Sequence, residues 1–146
     1  MGSGPTQPTE QYFDKGLWGY DGTVWRKLPL LWGYTDRLAE QKVNLNANAG
    51  GNYLVHTTVP AGEVWVVTAH VAVNLNTAGA VVMRGFFGGT DMLVYDHGTP
   101  GAGVWHTSPP MNIVAKAGDI LVGAFYGCTA GDDLYSILYG YKMAVT

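Results

Sequence analysis

The chain has 146 residues, and only 13% of them are charged, about half the usual share of roughly 25%. A net charge of −3 with no basic run excludes a nucleic-acid groove. No apolar run approaches the ~18–20 residues that a membrane-spanning helix needs. The length suits one core-bearing domain plus an arm. Glycine, at 21 residues, is over-represented, and Val, Tyr and Trp are frequent, which points to an all-β chain with tight turns. So little charge leaves a lone monomer short of polar surface and favours an oligomer.

Residues 1–11 are Gly, Ser, Pro, Thr and Gln with little to bury, and read as an extended arm that a partner would order. The tetrapeptide Leu-Trp-Gly-Tyr then occurs at 17–20 and again at 31–34, and Trp18, Trp25 and Trp32 are spaced by seven. That spacing is helical, but Gly19, Gly22, Pro29 and Gly33 oppose a helix. Asp21-Gly22 between apolar runs instead predicts a two-residue turn and a hairpin over 17–26. In that register Trp18 faces Trp25 and Tyr20 faces Thr23. Trp32, beyond Pro29, or Tyr34 is expected to dock on the body or on a neighbouring subunit. The expected division is an aromatic N-terminal arm over 1–38 and a body over 39–146. Residues 35–50 read as an extended crossing that ends in a strand, with a short helix capped by Thr35 as the alternative.

From residue 53 the strand signals are regular: 53–59, 63–74, 80–87, 92–95, 104–107, 111–115, 120–126 and 134–145. The stretch 63–74 is apolar on both faces. Strict alternation puts Val64, Val66, Thr68, His70 and Ala72 on one side, and Trp65, Val67, Ala69, Val71 and Val73 on the other. A strand of this kind lies between packed layers or at a subunit interface. Two turns of similar composition, Pro60-Ala61-Gly62-Glu63 and Lys116-Ala117-Gly118-Asp119, each precede an apolar strand. The prediction is a jelly-roll β-sandwich of about eight strands.

Chemistry is sparse. His56, His70, His97 and His106 show no metal-ligand spacing, and His70 reads as a hydrogen-bonded interior or interface residue. Asp91, Asp96, Asp132 and Asp133 read as solvated turn acids rather than a glycosidase pair. Cys128, the single cysteine, reads as a small filler. No phosphate loop or nucleophile motif is present, so no catalytic residue, metal or cofactor is assigned. Tyr135, Tyr139 and Tyr141 share one strand parity and so line one face, which suits a core, a subunit contact or a stacked sugar.

The segment Gly19-Tyr20-Asp21-Gly22-Thr23-Val24-Trp25-Arg26-Lys27-Leu28 is similar to the G-(W/Y)-D-G-x-x-W-x-(K/R)-L segments near the N-termini of tailed-bacteriophage virion structural proteins. Val59-Pro60-Ala61-Gly62-Glu63-Val64-Trp65-Val66-Val67 resembles the strand that opens their jelly-roll domains. The resemblance implies a non-enzymatic capsid decoration (cement) protein or a fibre component, usually a trimer of jelly rolls. The implied partners are further copies of the chain and the major capsid protein or other virion proteins. The implied location is the virion, assembled in the host cytoplasm. On this reading Trp18, Tyr20, Trp25, Trp32, Tyr34 and Trp65 form assembly contacts. The alternative is a tail- or head-fibre module that binds a receptor or glycan through Tyr135, Tyr139 and Tyr141.

Overall fold

The computed structural model describes residues 17–20, 25–28 and 34–145, with side chains from Thr35 onward. Among these residues there are eleven strands and no helix. They are β1 (Leu17–Tyr20), β2 (Trp25–Leu28), β3 (Tyr34–Asn44), β4 (Gly50–Val55), β5 (Glu63–Asn74), β6 (Val81–Phe87), β7 (Thr90–Asp96), β8 (His106–Thr107), β9 (Ile113–Lys116), β10 (Ile120–Cys128) and β11 (Leu134–Ala144). Strands β1 and β2 form a hairpin of their own. The rest make two antiparallel sheets. One runs β4-β10-β6-β7; the other runs β3-β11-β5-β8, with β9 also pairing on β5.

The two sheets share one interior. Leu38 of β3, Val67 of β5 and Leu138 of β11 pack in a single buried cluster with Met83 of β6 and Leu121 of β10. A second cluster joins Leu54, Val81 and Phe125 of one sheet to Ala72 and Leu134 of the other. Each buried Val, Leu, Met or Phe among them contributes about 1.5–3 kcal/mol by leaving water.

Several expectations change. The hairpin exists, but Tyr20 pairs with Trp25 and Trp18 with Lys27, so four residues rather than two connect the strands. Either register sets an aromatic residue opposite Trp25, so residue identity does not choose between them. Residues 35–44 are extended, as favoured, and the alternative helix is absent: β3 is an eleven-residue strand paired with β11. Strand β3 of the five-stranded sheet thus starts at Tyr34, within the stretch read as arm. Trp32 lies outside the described residues, as does the side chain of Tyr34. Strand β4 starts at Gly50 and ends at Val55, because β10 pairs it from Gly50 onward.

The two similar turns do share a geometry. Glu63 N–H donates to Pro60 O and Asp119 N–H to Lys116 O, with Gly62 at φ 80° and Gly118 at φ 88°. Only glycine adopts that backbone without strain. The turns also abut, since Gly118 N–H donates to Val59 O and Val59 N–H to Asp119 O.

Candidate functional site

The site begins with a fault in a strand. Tyr139 pairs with Ala69 and Gly140 with Val67, so Thr68 of β5 has no partner and forms a β-bulge. Gly140 makes this bulge sterically feasible: a Cβ there would lie 1.9 Å from the carbonyl oxygen of Val66. An extra residue reverses the parity of everything after it. Trp65 and Val67 face the interior before the bulge, and His70 and Ala72 face it afterwards. This corrects the strictly alternating faces predicted for 63–74 and explains how a histidine arrives fully buried in the core.

His70 does not sit there alone. All four histidines join one hydrogen-bonded chain with Ser136 of β11, buried along its length except at the half-buried His106. His56 Nε2 lies 2.9 Å from Ser136 Oγ, and Ser136 Oγ lies 2.8 Å from His70 Nε2. His70 Nδ1 is 2.8 Å from His97 Nε2, and His97 Nδ1 is 2.8 Å from His106 Nδ1. At the other end His56 Nδ1 faces Glu40 Oε2 of β3 at 3.7 Å. Ser108 brackets His70, its Oγ accepting from His70 N–H and its N–H donating to His70 O. The chain thus crosses the whole five-stranded sheet from β3 to β8, about 14 Å at three interstrand spacings. Gly123 of β10 keeps the crossing open, since a Cβ there would lie 2.3 Å from Ser136 Oγ.

Proton counting sets the direction of the links, because a neutral imidazole carries one N–H and a serine one O–H. With Glu40 ionised, His106 Nδ1–H donates to His97, His97 Nε2–H to His70, His70 Nε2–H to Ser136, and Ser136 O–H to His56. His56 Nδ1–H then points at the Glu40 carboxylate. Those two atoms are buried and make no hydrogen bond among the described residues, so this end is the one imperfect link. Burial pushes His56 down to about 4, against a partial opposing pull from Glu40. Burial, then the charge of His97, pushes His70 down to about 3. Burial, then His106, pushes His97 down to about 4. Burial raises the Glu40 carboxyl, but hydrogen bonds from Thr57 and Lys42 outweigh it and leave the group below its ordinary range.

Reversing every link would carry one proton from the His106 end to Glu40. Glu40 lines a surface groove with Asp36, Thr57, Trp65 and Lys142. Ser136 is fully buried, so no substrate reaches its hydroxyl in this arrangement. His97 offers its two ring nitrogens to two different neighbours, and no three His, Cys, Asp or Glu among the described residues converge on one point. Ser136→Ala leaves His56 Nε2 and His70 Nε2 buried without that partner. At about 1–3 kcal/mol for each unsatisfied group, urea denaturation should show a loss of roughly 2–6 kcal/mol.

The other predicted residues are placed as follows. Trp65 is almost wholly covered, showing only an edge in the groove: it is 3% exposed, donates to Glu63 Oε2 at 2.7 Å, and carries Lys142 Nζ 5.1 Å above its ring. Little of it remains for another subunit to contact. The backbones of Trp18, Tyr20 and Trp25 lie in the hairpin. Tyr135, Tyr139 and Tyr141 do share a face of β11, the one turned away from the interior, because the alternating Leu134, Ser136 and Leu138 are fully buried. Tyr135 packs against Trp105 at 5.6 Å between ring centroids. Asp132 is not solvated: it is buried and accepts from Asn74 Nδ2, Thr129 N–H and Thr77 Oγ1, which hold it below its ordinary range despite burial. Cys128 is buried, and burial raises its thiol.

Sequence reasoning missed the histidine chain because no two members are close in sequence; His56 and Ser136 are 80 residues apart. One signal was present. His70 and Ser136 are polar residues in otherwise apolar strands, and buried polar groups must find partners. No protein-family model, curated protein or solved structure matches the chain.

Proposed function

We propose that this chain is a non-enzymatic structural subunit of a virion, a capsid decoration protein that self-associates as a homotrimer of jelly rolls. The observation that carries the reading is the outer face of the five-stranded sheet. There Val43 of β3, Tyr139 of β11 and Val114 of β9 are 41%, 42% and 60% exposed, and the neighbouring Trp105 is 49% exposed. An apolar, aromatic face of this kind is characteristic of a subunit contact. The strand orders β3-β11-β5-β8/β9 and β4-β10-β6-β7 are those of a two-sheet sandwich in which each sheet takes strands alternately from both ends of the chain, which supports the jelly roll. The trimer and the major capsid protein as partner come from the resemblance of residues 19–28 and 59–67. The N-terminal arm would reach the capsid shell.

The outer face is testable without touching the core. In the double variant Val114→Glu, Tyr139→Glu both changed side chains start exposed, so the fold should persist. Charges facing a second copy should raise the dissociation constant of the assembly by at least about 100-fold, as a loss of ~2.8 kcal/mol. Sedimentation velocity over a concentration series reads this directly. An assembly unaffected by the double substitution would remove this face from the interface.

A further inference from the structure

We propose that the outer face of the other sheet is a binding groove for a neutral saccharide. The groove is open to solvent, holds about 540 Å³ and is lined by Tyr53 and Val55 of β4, Arg84 and Phe86 of β6, Asp91 of β7 and Val122 of β10. That volume lies within the ~300–1,000 Å³ typical of small-ligand sites, which combine an apolar lining with a few placed polar groups.

Both parts are present. Val55, Val122 and Phe86 supply the apolar surface, and Tyr53 stands 58% exposed beside them. The polar wall is built in advance. Arg84 Nε donates to Asp91 Oδ1 at 3.0 Å, Nη2 donates to Asp91 Oδ2, and Nη1 donates to the Tyr126 hydroxyl at 3.3 Å. The Tyr53 and Tyr126 rings meet edge-on at 6.1 Å, which completes a Tyr53–Tyr126–Arg84–Asp91 row.

Charge selects the ligand class. The lining contains one cation and one anion, already paired with each other. A phosphate or carboxylate would have to displace Asp91, and an ammonium would have to compete with Arg84. Three of the guanidinium's five N–H groups are used in the row. Two donors remain beside the free lone pairs of Asp91. Adjacent donors and acceptors match vicinal hydroxyls, each of which donates and accepts. The apolar lining and the tyrosine ring match the C–H face of a pyranose. The groove lies on the sheet opposite the proposed subunit contact, so the two proposals stand or fall separately.

The test is saturation-transfer NMR of the purified chain with lactose, maltose, N,N′-diacetylchitobiose and sialyllactose. The expected result is transfer to the ring protons of at least one neutral sugar. Affinity should fall about tenfold or more in both Tyr53→Ala and Arg84→Met. Tyr53 is exposed, so Tyr53→Ala should keep the parent's thermal midpoint; the loss then belongs to the groove. Four results would overturn the proposal: no transfer from any sugar, transfer indifferent to both substitutions, binding of the sialylated sugar alone, or dissociation of an oligomer by Val55→Glu. The last would show a second copy on this face.

Discussion

Acidification from pH 7 to about 4.5 is expected to lower the stability of this fold by several kcal/mol. In the folded chain burial pushes His56 and His97 down to about 4 and His70 down to about 3, whereas an unfolded histidine titrates near 6.5. Below about pH 6.5 the unfolded chain therefore takes up protons that the folded chain refuses, and stability falls as pH falls. The loss begins near pH 6.5 and levels off only below the folded values, near pH 4 for two groups and 3 for the third. At pH 4.5 each site contributes about 2–3 kcal/mol of loss, at 1.36 kcal/mol per pKa unit. The sum of up to about 8 kcal/mol is an upper figure for adjoining sites, and it rivals the ~5–15 kcal/mol that holds a domain together. The carboxylates do not compensate. Glu40 and Asp132 are held low in the folded chain, so they too lose stabilisation as acid protonates them. Guanidinium denaturation at a series of pH values measures the effect, and the slope counts the protons taken up. Stability that stays level between pH 6.5 and 4.5 would mean that the histidine chain is not sealed from water.

Gly140→Ala is expected to be the most damaging glycine-to-alanine change among the described residues. The added carbon would sit 1.9 Å from Val66 O and 3.0 Å from Val67 Cα, both backbone atoms of the adjacent strand. No rotamer relieves such a contact, so the strands must separate or the bulge must straighten. Straightening would restore simple alternation in β5 and turn His70 outward, breaking two links of the buried chain. The cost should exceed the ~1–3 kcal/mol of ordinary overpacking and lower the thermal midpoint by more than about 10 °C. Gly88→Ala is the control, because a Cβ there meets nothing within 4 Å and only its φ of 58° opposes the change. A shift for Gly140→Ala no larger than for Gly88→Ala would contradict the role given to the bulge.

The strands were legible in the sequence wherever one face alternated cleanly. Leu134, Ser136 and Leu138 face inward and the tyrosines outward, because the bulge lies on β5 and leaves β11 regular. The paired glycine turns were legible because positive φ has a residue signature. Parity beyond Thr68 was not, since a bulge depends on which strand lies alongside and on a glycine some seventy positions away. Convergence of the histidines was not legible for a related reason. Their contacts are set by strand order, so His70 and Ser136, 66 residues apart, meet only because β5 and β11 are neighbours. Trp65 shows the opposite error. The resemblance implied an assembly contact there, but the near-continuous apolar character of β5 is satisfied largely within the chain. The groove at Tyr53 went unread because Arg84 and Asp91, seven residues apart, face each other only across the β6–β7 pairing.

The proposed self-association runs through the outer face of the five-stranded sheet. Light scattering on the purified chain at neutral pH, coupled to size exclusion, measures it most directly. A mass of three chains that persists on dilution into the low-micromolar range is the predicted result. A stable single-chain mass at high concentration, with Tyr139, Val114 and Trp105 facing solvent, would contradict it.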